Sequence, residues 1–144
     1  LFLYATSAAD RAKFASLLVP KNQRWASRAP LIMFVLARRS FAGSGRPNRH
    51  SPFDAGSAWL SLALQARRLG LCAHAMAGFR YKAVFEELGV PEDQYDIMAA
   101  VVVGRLGPAD ALEEDIRAME APNARKPVSE VATTQYPLSL ISES

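Results

Sequence analysis

The sequence predicts one domain built in three layers, α/β or α+β, and three observations carry that reading. Its 144 residues, half of them apolar, are enough to bury one sizeable core. Two apolar runs, LIMFVLA at 31–37 and IMAAVVV at 97–103, are continuous rather than alternating, which suits strands covered on both faces. Helix-patterned segments separate those runs along the chain, so helical layers are required on both sides of a sheet.

The elements follow in order. LFLY at 1–4 reads as a short strand, ended by Thr6 and Ser7, either of which can cap the next helix. That helix is predicted over about residues 8–18, with Ala12, Phe14, Ala15 and Leu18 inward and Pro20 behind its end. KNQRWASRAP is polar and twice broken, and it leads into the first buried strand. RRSFAGSGRPNRHSPF, rich in Gly, Pro, Ser and Arg, is a loop. Asp54 is the expected N-cap of a long helix reaching about Leu69, with Gly70 where a left-handed residue is wanted. Ala55, Ala58, Trp59, Leu60, Leu62, Ala63, Leu64, Ala66 and Leu69 cover most of its circumference. That pattern predicts burial on all sides except a narrow polar stripe of Asp54, Ser57, Ser61, Gln65 and Arg68. A short helix over 81–88 is closed by Gly89 ahead of Pro91, and DIMAAVVVG is the second buried strand, ending at Gly104. Beyond Leu106, ALEEDIRAME reads as one exposed helix and APNARKPVSEVATTQYPL as an extended tail.

Composition narrows the chemistry. A net charge of +3 and a pI near 9.3 are mildly basic, which fits a small anionic ligand and does not by itself argue for nucleic acid. Cys72 is the single cysteine, so no internal disulfide forms, and a reducing cytoplasmic setting is expected. The longest apolar runs are far too short to span a bilayer, and no charged and apolar leader pattern opens the chain. It opens on Leu1 rather than Met, within a strand pattern, so residues preceding this point are expected in the natural protein.

Few residues offer reactive chemistry. His50 and His74 with Cys72 cannot build a nitrogen and sulfur metal site of three or four ligands without carboxylates. Cys72 and His74 would share one face of a strand, but their apolar surroundings favour packing over a thiolate–base pair. GSGR at 43–46 lacks the remaining spacing and the Lys-Ser/Thr ending of a phosphate loop. Arg38, Arg39, Arg46 and Arg49 form the densest basic cluster, read as a solvated loop or substrate-entry rim ahead of a nucleic-acid face. Glu113 and Glu114 belong to a solvated run. A fold without an obvious acid, base, nucleophile or metal is either a binding module or one whose chemistry an organic cofactor carries.

DAGSAWLSLALQARRLGLCAHAMAGF at 54–79, then LGVPEDQYDIMAAVVVG and RKPVSEV, resembles the nitroreductase family of FMN-dependent NAD(P)H oxidoreductases in order and spacing. RWASRAPLIMFVLARR is similar to the family's strand before the central helix. The resemblance covers most of the chain and implies an α+β fold, a three-layer α-β-α sandwich, with residues 1–144 as a single nitroreductase-like domain truncated at its N-terminus. It implies that the segment after the central helix, Ala75, Met76, Ala77 and Gly78, passes the edge of FMN. Small side chains there let the backbone come close to a flat ring. The Ala77 N–H is then the donor to flavin N5, where many relatives carry an acidic residue, and Met76 is a soft apolar contact. In ARKPVSEV the resemblance places a basic residue on the FMN phosphate, Arg125 first for its planar fork and Lys126 second.

The family's N-terminal Arg/Ser-rich phosphate-binding helix and Asn-containing turn have no counterpart here. The resemblance further implies hydride transfer from NAD(P)H through FMN to a nitroaromatic, quinone or similar acceptor. It also implies an intertwined, cytoplasmic homodimer with the flavin at the interface, which the tail TTQYPLSLISES would wrap. Two alternatives differ in class. One is a non-catalytic flavin-fold binding or assembly module, distinguished by cofactor content and NAD(P)H oxidation. The other is a nucleic-acid-binding domain using the arginines of 38–49, whose affinity would fall steeply with salt.

Overall fold

Among residues 1–134, which this computed structural model describes, four strands form one sheet: β1 (Phe2–Ala5), β2 (Leu31–Arg38), β3 (Cys72–Met76) and β4 (Tyr95–Gly104). Their order is β1-β2-β4-β3, with each neighbouring pair antiparallel. The fold is therefore α+β, which decides between the two classes that the apolar runs allow. A first compact unit, Leu1–Pro108, contains the whole sheet, and a second unit begins at Ala109.

Alternation along the two central strands divides the core. Ile32, Phe34 and Leu36 of β2 and Ala100 and Val102 of β4 face one side; Met33, Val35, Ala37, Val101 and Val103 face the other. The pairing slips between Val35 and Leu36, which lie opposite Ala99 and Ile97, so Met98 is the extra residue of a bulge. That insertion keeps both Ile97 and Ala100 on the same face. Each of these strands is covered twice, which is why both read as unbroken apolar runs.

Helices α1 (Ala8–Ser16), α2 (Pro20–Ala26) and α4 (Tyr81–Leu88) cover the first face, through Phe14 and Ala15, Trp25 and Ala26, and Val84 and Phe85. Ser7 caps α1, its hydroxyl accepting from the Asp10 N–H at 3.1 Å. Phe14, Ala15 and Leu18 turn inward as expected, whereas Ala12 is exposed and the helix stops at Ser16. Pro20 is not only a terminator. It sits at the first position of α2, where its missing N–H costs nothing, and it starts a helix in the stretch read as polar and broken. Gly89 closes α4 with φ of +63°, and Gly70 takes φ of +72° just after the long helix, as their positions in the sequence anticipate.

The long helix α3 (Ser51–Arg68) covers the second face and corrects two expectations. It begins three residues before Asp54, so Asp54 lies in its first turn and is not its N-cap. Nor is the helix buried all round. Ala55, Trp59, Leu62 and Ala66 pack on the sheet, while Phe53, Leu60 and Leu64 on the opposite side are 77, 57 and 60% exposed. A helix on the outer layer of a sheet can bury only one stripe, so a second apolar stripe stays open to whatever binds it.

In the second unit ALEEDIRAME does not form one helix. A 3-10 turn at Ala109–Ala111 is followed by α5 (Glu114–Arg117), and α6 (Val128–Val131) adds one turn within the stretch expected to be extended. The end of the tail, from residue 135, lies outside the described residues. Among the described residues no helix is long and apolar enough to cross a membrane.

Candidate functional site

The candidate site is the exit of β3. This strand lies at the edge of the sheet, bonded to β4 on one side only, so part of its main chain is not taken by a ladder. Its side chains alternate as a strand requires. Ala75 faces the core under α3, and Met76 faces the other core, where it is 8% exposed. Met76 therefore packs the interior, and what this segment offers a ligand is main chain. Ala77 follows the strand and is exposed, and its N–H has no hydrogen-bond partner among the described residues.

Gly78 is held by α2. Its carbonyl accepts from the Val19 N–H at 3.0 Å and from Asn22 Nδ2 at 3.0 Å. A Cβ at this position would fall inside contact distance of Asn22 Nδ2 and 2.9 Å from Val19 Cγ2. The absent side chain of Gly78 thus makes room for α2, and its conformation is one that any residue adopts, since its φ is not positive. The next residues lock the turn further. The Phe79 N–H donates to the Ala77 carbonyl at 3.0 Å, the Arg80 N–H donates to the Leu17 carbonyl at 2.7 Å, and the Phe79 ring meets Phe34 edge to face at 5.5 Å.

Asn22 and Val19 are the residues that sequence reasoning missed. The available signal was Pro20 at a helix start, followed two residues later by a side chain able to hydrogen-bond main chain. Asn22→Ala is expected to cost about 1 kcal/mol, since Gly78 keeps its second donor and only one half-buried hydrogen bond is lost. Urea unfolding checks this, with a lower midpoint at an unchanged m-value.

The other candidates are more scattered. Cys72 and His74 do share a strand face, but His74 is exposed and lies edge-on to Trp25 at 5.0 Å, and Cys72 Sγ is 4.0 Å from Arg67. Arg125 and Lys126 belong to the second unit and are exposed. Arg125 donates to the Asn123 carbonyl at 2.9 Å, and Lys126 pairs with Glu130 at 3.6 Å. GSGR closes on itself: the Phe41 N–H donates to the Arg46 carbonyl and the Gly45 N–H to the Phe41 carbonyl, both at 2.9 Å, with Gly45 at φ of +67°. Among the described residues no group of three or more His, Cys, Asp or Glu converges as a metal site would require.

An edge strand ending in an exposed, small-residue turn, behind a long helix on a four-stranded antiparallel sheet, is the arrangement against which known proteins can be compared. The model of the Nitroreductase family matches residues 3–105. The chain belongs to the nitroreductase family. The matched residues fall within the first unit and include all of the sheet but Phe2, the long helix and the β3 exit. Among solved structures, one described as an oxidoreductase containing FMN superposes with a TM-score of 0.84 at 34% identity, covering 93% of this chain and 69% of that one. An Exiguobacterium sibiricum protein solved in complex with FMN gives 0.73 at 16% identity, covering 94 and 76%. A Staphylococcus epidermidis protein assigned as an NAD(P)H:FMN oxidoreductase gives 0.73 at 12%, covering 94 and 75%. At those identities the last two speak to the fold alone. No curated protein matches the chain.

Proposed function

We propose that this nitroreductase-family chain is an FMN-dependent oxidoreductase, passing hydride from NAD(P)H by way of the flavin to a small acceptor such as a nitroaromatic or quinone. The observation that carries the reading is the main chain at Ala75, Met76, Ala77 and Gly78: an edge strand, then an exposed Ala77 whose N–H is unpartnered among the described residues. When bound, FMN would supply the hydride chemistry itself. The protein's share is binding and orientation. The Ala77 N–H is a fixed donor for flavin N5, and because α2 pins the next carbonyl from two sides, that donor need not reorganise during the reaction. Arg125, and next to it Lys126, would hold the phosphate by charge-assisted hydrogen bonds. Residues 1–144 then act as one nitroreductase-like domain, in the three-layer arrangement of the family.

The second apolar stripe of α3 favours a homodimer in the same reading. Phe53, Leu60 and Leu64 lie at helical spacing away from the sheet, and burying each is worth about 1.5–3 kcal/mol. Leu60→Asp with Leu64→Asp is expected to convert a dimer to a monomer in analytical ultracentrifugation while leaving the far-ultraviolet spectrum of the fold intact. A monomeric starting chain, or a double variant that stays dimeric, removes the stripe from the interface.

The test of function is spectroscopic. The purified chain is incubated with FMN, freed of excess flavin and scanned before and after anaerobic NADH or NADPH. Retained visible bands that bleach support the oxidoreductase. Bands that do not bleach support the non-catalytic flavin-binding module instead.

A further inference from the structure

We propose that the cleft at the start of α3 is a second ligand site, one that takes a phosphate group. This goes beyond the flavin reading and does not rest on it. The cleft has a volume of about 220 Å³ and is lined by Arg38, Arg39, Asn48, Arg49, Ser51 and Asp96, with Pro47 and Pro52 at its side.

Four features of these residues point to an anion. Ser51 is the first residue of an 18-residue helix, where the helix dipole favours negative charge. Among the described residues it is also the buried polar residue, 7% exposed, and it lines the cleft. Asn48 carries a buried atom without a partner, its Oδ1, and a buried polar atom left unpaired is costly. Turning its terminal amide by 180° exchanges Oδ1 for Nδ2, so the same side chain becomes a donor when an anion is present.

The charges complete the site. Asp96 does not repel an anion, because Arg39 grips its Oδ1 through Nε at 3.0 Å and through a terminal nitrogen at 2.6 Å. Hydrogen bonding to Asp96 also raises the Arg39 pKa above its already high value, so both partners stay charged and offset each other. Arg38 has no ion-pair partner among the described residues, and Arg49 makes only a long 3.4 Å contact with His50. Two planar guanidinium forks are therefore left for a ligand, and that geometry matches phosphate oxygens. The Asn48 N–H, which donates to the Arg39 carbonyl at 2.8 Å, ties the loop carrying Arg49 to the strand carrying Arg38.

The test titrates inorganic phosphate into the ¹⁵N-labelled full chain at constant ionic strength. Saturable shifts are expected at the amides of Arg49 and Ser51. Arg38→Glu and Arg49→Glu should each weaken binding by about tenfold or more, as loss of a charge-assisted bidentate contact requires. Both positions are exposed, so thermal unfolding close to that of the parent keeps the comparison clean. Arg125→Glu should leave these shifts in place, which separates this site from any flavin phosphate site. Displacement of phosphate by NADP⁺ but not NAD⁺ would assign the group to that coenzyme, and displacement by neither to a free phosphate; both uphold the site. Shifts that are absent, that never saturate, or that survive both charge reversals would overturn it.

Discussion

Phe34→Ala is expected to cost about 3–5 kcal/mol, the range for deleting a buried aromatic ring from a core. Phe34 is fully buried at the centre of β2, between Phe14 at 5.6 Å on one side and Phe79 at 5.5 Å on the other. Its loss leaves a cavity that three elements line, and the sheet prevents their collapse into it. Against a total stability of about 5–15 kcal/mol, the variant stays folded only marginally. The melting temperature should fall by roughly 10–20 °C. The effect reaches the site because Phe79 directly follows Gly78, so the turn loses the ring that anchors it. Phe34→Leu, which keeps most of the volume, should cost less than about 1.5 kcal/mol. Calorimetry of the two variants checks the pair, and an alanine variant melting within a few degrees of the parent contradicts this account of the core.

Gly78→Ala is the second large effect, and here one methyl group decides it. The added Cβ meets Asn22 Nδ2 and Val19 Cγ2 together, and Asn22 cannot swing away without losing its bond to the Gly78 carbonyl. Overpacking of this kind costs about 1–3 kcal/mol. The strain falls on the peptide next to Ala77, so FMN retention should drop more than global stability alone explains. A double-mutant cycle separates the causes. In an Asn22→Ala background the same substitution should cost less, with a coupling of about 0.5–3 kcal/mol, because one of the two clashing groups is gone. Additive costs would mean that α2 does not constrain the turn.

These two positions also mark how far the sequence could be read. Phe34 lies in a run so evenly apolar that its place in a doubly covered strand is legible without a structure, and the same holds for Val101 and Val103. Gly70 and Gly89 were equally plain, since a glycine after a helix pattern signals a left-handed end. The outer stripe of α3 was not. Leu60 and Leu64 look like core residues because apolar periodicity reports which faces are apolar and not which of them the same chain covers. α2 was missed for a related reason: with seven residues it is too short to show a hydrophobic period, and only Pro20 marks its start. The β3 exit was located through its resemblance to a family, yet the reason for Gly78 was hidden, because Asn22 lies 56 residues away in the chain. Asn48 carried no signal at all, since a buried unpartnered atom exists only once the fold has buried it.

The central claim is that the main chain at the β3 exit receives the flavin, and the most direct test is the Ala77 amide itself. An amide-resolved titration of the ¹⁵N-labelled chain with FMN should show saturable shifts at Ala77 and Gly78, among the largest in the spectrum. The Ala77 signal should move again when the bound flavin is reduced. FMN binding that leaves residues 75–79 unshifted, or a chain that binds no FMN, would contradict the account.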